Sequence, residues 1–164
     1  MKSLNAERRL RRKGLQCLLL AALPWGALGW RQAHAQRMNS GSLLSFEDMV
    51  QPLVKGAPLL QQEVSIIAPI LADNGTLVPV QVQVQSPMTE PNHVTHIYLL
   101  SQRNPVTQVA VFNLGPWNAK ADISTRIRLA GTQDLVALAR LSNGEFRYQK
   151  MEIIVTESAC VDAS

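Results

Sequence analysis

Cysteine is scarce in this chain of 164 residues, which has only Cys17 and Cys160. The sequence also has no glycine loop for a nucleotide, no His-Glu-x-x-His zinc motif and no Gly-x-Ser-x-Gly nucleophile elbow. Those absences remove nucleotide-dependent, zincin and α/β-hydrolase chemistry from consideration. No apolar run is long enough to span a bilayer. The longest, Leu15 to Trp30, falls short of the ~20 residues required and is interrupted by Pro24, Gly26 and Gly29. There is no internal repeat or low-complexity segment.

The charge is present but unevenly placed. The formal balance is +4, yet seven of the sixteen Lys and Arg residues lie within the first 31 positions, opposed by Glu7 alone. From Gln36 onward nine bases face eleven acids, so the body of the chain is slightly acidic. The basic character therefore belongs to the N-terminus, and nucleic-acid binding is not expected.

That N-terminus has the three parts of an export signal. Arg8-Arg9-Leu10-Arg11-Arg12-Lys13 is basic, Leu15–Trp30 is apolar, and Ala33-His34-Ala35 is a small-x-small cleavage site. Arg11-Arg12-Lys13-Gly14-Leu15 fits the twin-arginine pattern of a route that carries folded proteins. Cleavage after Ala35, a periplasmic destination and no stable membrane anchor are expected. Cys17 would leave with the signal, and Cys160 would remain as an odd thiol in an oxidising compartment. An odd thiol there is either reactive or bonded to another chain.

The organisation expected is a signal over 1–35, a leader and short helix over 36–58, a β domain over 59–156 and a cysteine arm over 157–164. Ser45 with Asp48 resembles a helix N-terminal cap, followed by Phe46, Met49, Val50, Leu53 and Val54 at helical spacing. Pro52 lies inside this helix and Gly56-Ala57-Pro58 closes it. From Glu63 the period changes to two. The clearest strand is Thr76–Gln85, where Val78, Val80, Val82 and Val84 alternate with Pro79, Gln81, Gln83 and Gln85. Ala72-Asp73-Asn74-Gly75 reads as a turn tolerating left-handed φ, and Pro79 should mark an edge or bulge. Other strands are expected at Val64–Ile66, Val94–Ser101, Thr107–Leu114, Ile123–Leu129, Leu135–Leu141 and Glu145–Thr156. The fold class is thus all-β: an antiparallel, immunoglobulin-like sandwich of about seven strands, with a short N-terminal helix and a flexible C-terminal arm.

Few side chains present a chemical opportunity. His93 and His96 have His-x-x-His spacing, but residues three apart on a strand face opposite ways, which disfavours a shared metal. Trp117 reads as a packing or partner anchor, and Arg126 and Arg128 as a solvated face or interface. Cys160 stands four residues past the last strand, about 13 Å out if extended. One thiol at the end of an arm suits covalent carriage between partner enzymes. The second reading is a scaffold or interaction subunit in which Cys160 is incidental or forms an intermolecular disulfide. An independent enzyme is the weakest reading, because no acid–base constellation accompanies the thiol.

Several motifs in order resemble the SoxY family of sulfur carriers: Pro69-Ile70-Leu71-Ala72-Asp73-Asn74-Gly75 with Val78-Pro79-Val80, Asn104-Pro105, Thr125-Arg126-Ile127-Arg128-Leu129, Asn143-Gly144, and Val155-Thr156 leading to Cys160. The likeness covers about Phe46–Cys160. It implies an exported subunit with no cofactor of its own, paired with a SoxZ-like β-sandwich subunit. Cys160 would hold sulfur intermediates while periplasmic oxidoreductases or hydrolases act on them. Family arms end in Gly-Gly-Cys-Gly-Gly, whereas Cys160 is flanked by Ser158-Ala159 and Val161-Asp162. That arm looks more like a related branch reading Ala-Ala-Cys-Ile-Glu, associated with quinoprotein dehydrogenases. Ala159 and Val161 remove the backbone freedom that glycines give. Asp162 should raise the thiol pKa above its ordinary ~8.5 and disfavour an anionic adduct.

Overall fold

The computed structural model describes residues 43–157. The expected signal peptide and leader, and the tail from Ser158 with Cys160, lie outside the described residues. Among the described residues no helix is long and apolar enough to cross a membrane.

The chain enters through α1 (Phe46–Val54). Ser45 caps it as its sequence anticipates: the Ser45 Oγ accepts the Asp48 N–H at 3.1 Å, satisfying a donor that the first turn leaves free. The helix stops where Lys55 adopts left-handed φ of 49°. Met49, Val50 and Val54 point inward while Glu47 and Gln51 face water.

Nine strands follow: β1 (Leu59–Leu60), β2 (Val64–Ile67), β3 (Leu71–Asn74), β4 (Val78–Val84), β5 (Val94–Ser101), β6 (Gln108–Asn113), β7 (Ala121–Ile127), β8 (Gln133–Leu141) and β9 (Phe146–Glu157). A six-stranded sheet runs β1-β9-β8-β5-β6, with β3 added against β9, and a three-stranded sheet runs β2-β4-β7. The inward valines of β4 meet Ile97, Leu99, Leu135, Ala137 and Ile153 of the larger sheet in the principal core. A second core lies on the other side of that sheet, where α1 packs on Leu100, Val136, Leu138 and Phe146. β8 is therefore covered on both faces, and Leu135 to Ala139 are all fully buried. Its run of apolar residues, in place of alternation, follows from that double burial.

All seven expected strands are present, but the structure corrects the count and the pairing. β1 and β3 are additional, and both pair with β9 in parallel, so the larger sheet is mixed rather than purely antiparallel. β3 occupies residues expected to form a turn. Asn74 and Gly75 are not left-handed; the bend is instead an Asx turn in which Asn74 Oδ1 accepts the Thr76 N–H at 2.7 Å. At Asn143-Gly144, the other Asn-Gly pair of the domain, Gly144 does take φ of 87°, and Gly144 N–H donates to Leu141 O to close the β8–β9 hairpin. Pro79 lies on the central strand of its sheet, yet β2 pairs with β4 only as far as Ile67–Gln81. Past that point β7 alone flanks Pro79, which thus meets the requirement for a local edge.

Candidate functional site

Cys160 is three residues beyond Glu157, the last residue of β9, so the described part of the site is the root from which the cysteine tail departs. β9 reaches this end already tied into the core, with Ile153 fully buried and Val155 nearly so. On one flank β3 runs alongside, pairing Leu71 with Ile154, Ala72 with Val155 and Asn74 with Glu157. Ile154 N–H donates to Ile70 O at 2.8 Å, Gly75 N–H to Glu157 O at 2.8 Å, and Thr156 Oγ1 to Asp73 O at 2.7 Å.

The other flank has no strand, because β8 starts at Gln133 opposite Ile153. Thr132 fills the gap: its Oγ1 accepts the Val155 N–H at 3.0 Å. A buried polar network backs this loop. Gln133, 2% exposed, accepts from the fully buried Ser101 hydroxyl and from Arg103 N–H, and donates to Asn104 Oδ1 and Gly131 O. Asn104 in turn accepts the Ala130 N–H at 2.9 Å and donates to Arg128 O at 2.7 Å. Each buried polar atom here has a partner, which is what makes such a network rigid instead of costly. The root is therefore fixed while the cysteine stands beyond it.

Arg126 and Arg128 stand near the same end. Val78 pairs with Ile127, and Leu129 N–H donates to Gly75 O, which places the end of β7 beside the turn that holds Glu157. Both arginines are exposed, as the solvated-face reading requires. Their closeness to the tail root has no local signal in the sequence, since it depends on a contact between residues more than fifty positions apart.

The remaining candidates are elsewhere. His96 pairs with Arg140, seven residues along β8 from Gln133 and so about 23 Å from the root. Its ring stacks on Tyr98 at 5.7 Å, and burial, aided by the Arg140 charge, lowers its pKa below the ordinary 6.5. His93 precedes β5, where its Nδ1 meets Thr89 O and Glu90 O at 3.1 Å each. The two rings are thus engaged separately, and among the described residues no group of three metal-capable side chains occurs. Trp117 is 83% exposed at the histidine end, folded back over Gly115 so closely that a side chain there would collide with it.

The fold and the root together define an all-β domain whose last strand is clamped on both sides and leads into a tail with one cysteine in its sequence. Residues 50–160 match the family described as sulfur oxidation protein SoxY, and the chain belongs to that family. Among solved structures it is similar to the sulfur carrier protein SoxY from Chlorobium limicola f thiosulfatophilum, at 29% identity and a TM-score of 0.57, covering 67% of this chain and 94% of that one. A putative superoxide reductase from Thermotoga maritima shares the fold at 18% identity and a TM-score of 0.51, covering 70% of this chain and 96% of that one. Superoxide reductase (neelaredoxin) from Ignicoccus hospitalis does so at 19% identity and 0.50, covering 57% and 80%. No curated protein matches the chain. Family membership is consistent with a carrier subunit rather than an enzyme.

Proposed function

We propose that this protein is a periplasmic covalent carrier that holds a sulfur-containing intermediate on Cys160 and presents it to partner enzymes, working beside a SoxZ-like subunit. The observation that carries this reading is the match to the SoxY family, which extends to residue 160 itself. The clamped root supports it physically. A carrier needs a fixed base, so that the reach of the tail is defined, and a thiol that can extend away from the body to enter another protein's site. Export by the twin-arginine route with cleavage after Ala35 completes the reading, because the thiol then works outside the reducing cytoplasm.

The cargo follows from the residues around the thiol. Ala159 and Val161 make the tail bulkier than a glycine-flanked one, and Asp162 disfavours a second negative charge nearby. The carried group is accordingly one other than an anionic thiosulfate-derived adduct, or the tail delivers to enzymes with wider channels, in sulfur oxidation or in the quinoprotein-dehydrogenase-associated pathway that the resemblance of the arm implies. Loading and normal turnover with thiosulfate and the ordinary Sox partners would refute this choice of cargo.

Intact mass of the mature protein, isolated from its own periplasm, tests the central claim. An adduct on Cys160, lost in Cys160→Ser together with pathway activity while the melting temperature is unchanged, is the expected result. A reducible dimer through Cys160 would instead identify the protein as a disulfide-linked scaffold.

A further inference from the structure

The outer face of the three-stranded sheet has an open groove of about 670 Å³ at the end nearest the tail root. Its origin is the early end of β2. β2 stops at Ile67 opposite Gln81, while β4 and β7 continue paired to Val78–Ile127, which leaves a notch beside Pro79. Proline has no N–H to strand there, so the notch remains open at little cost. Ile67, Pro69, Pro79, Val80 and Gln81 line it, and Arg126 is its one charged residue. Ile67 is 51% exposed, and the neighbouring Leu77, between the groove and the root, is 64% exposed. The two ion pairs among the described residues, Glu63–Arg147 and Asp134–Lys150, do not involve Arg126.

The tail matches this groove in chemistry and in length. Ser158-Ala159-Cys160-Val161-Asp162-Ala163-Ser164 is built of small side chains, with Ala159, Cys160, Val161 and Ala163 apolar between polar end serines, and Asp162 is its one acidic side chain. Gly75, which donates to Glu157 O, precedes Pro79 by four residues, so the groove lies at most about 14 Å from Gly75. Asp162 extends up to about 17 Å from Glu157, and Cys160 up to about 10 Å. The acid therefore reaches Arg126 when the thiol lies over the Asn74–Leu77 turn.

We infer that this groove is the resting dock of the protein's own C-terminal tail, with Asp162 paired to Arg126 and the small apolar tail residues laid on Pro79 and Leu77. Docked, the tail withdraws Cys160 from solution between visits to partner enzymes. Undocking needs only one exposed ion pair and modest apolar contact to break, an interaction weak enough for a partner's channel to outcompete. The purpose of the dock rests on the carrier reading, but its geometry does not.

Alkylation of mature protein by uncharged iodoacetamide, followed by mass spectrometry across pH, tests the dock. The limiting rate at high pH reports access to the thiol, and the midpoint reports the local charge, so the two effects separate. Arg126→Glu and Asp162→Lys should each raise the limiting rate about threefold, as expected for loss of an exposed ion pair, and the double variant should return it to the parent value. Arg126→Gln, a milder change, should raise it by a smaller factor if Arg126→Glu lowers the melting temperature. Limiting rates unchanged in the single variants, or no restoration in the double variant, would overturn the inference. So would a rate that depends on protein concentration, which would assign the groove to a second copy. An adduct found on Cys160 in vivo bears on the carrier reading alone, and either conclusion can fail without the other.

Discussion

The two sheets finish their outer faces in opposite ways. On the larger sheet α1 lies across Leu100, Val136 and Leu138 and converts the face into a second core. On the smaller sheet no element among the described residues covers the outer face. There Asp122 accepts from Gln81 at 2.8 Å and Gln83 at 3.1 Å in a polar row that ends at the Pro79 groove. The covered face provides stability, whereas the bare one is where a ligand or a tail can come and go. The contrast is written in the strands themselves: β8 is apolar at every central position, while β4 alternates valine with proline and glutamine.

The largest effect expected from this contrast is on the covered side. Leu138→Ala should cost about 3 kcal/mol in denaturant unfolding, since the side chain is fully buried between the sheet and α1. A loss no greater than that of a surface change would mean that α1 contributes no real core. Next is the root of the tail. Gln133→Ala should cost about 2 kcal/mol, because it strands the buried Ser101 hydroxyl and the Arg103 N–H. It should also speed amide exchange at Val155, whose partner Thr132 sits on the loop that Gln133 holds. Exchange at Val155 unaltered in that variant would separate the network from the root.

On the bare face the expectation is small. Asp122→Ala should change stability by no more than about 0.5 kcal/mol, as solvent replaces both amide bonds; a multi-kilocalorie loss would show that this face is part of the structural core. The smallest effect is a pH dependence at His96. Its pKa is lowered in the folded protein by burial and Arg140, so the unfolded chain binds the proton more readily. Stability contributed there is complete above pH 6.5, declines as pH falls below that value, and levels off below the folded-state pKa. His96→Gln should remove that acid-side decline from thermal melts taken across this range.

Much of this arrangement can be read from the chain, and what cannot shares a physical cause. The bounds of β5, the alternation of β4, the Ser45 cap and the Gly144 hairpin are each specified within a dozen residues, and the structure has them all. β3 was hidden because its four residues carry a strong local turn signal. They become a strand only through pairing with β9, some eighty positions later. The groove was hidden for a similar reason: it exists because β2 ends before its neighbours do, and register is a property of pairs. Cys160 could be singled out from the sequence, by elimination and by family motifs, whereas the clamp at its root could not. Nothing near Thr132 in the sequence points to Val155.

That clamp also has a mechanical side. On the proposed carrier reading, a partner drawing the tail into its own site would load β9 along its axis, and the hydrogen bonds to β3 and β8 lie across that axis. Tension is then shared by many bonds in shear, so none is peeled open singly. A chain tugged repeatedly by its end, as the proposed carriage requires, would thereby be anchored like a rope spliced along its length rather than tied at a knot.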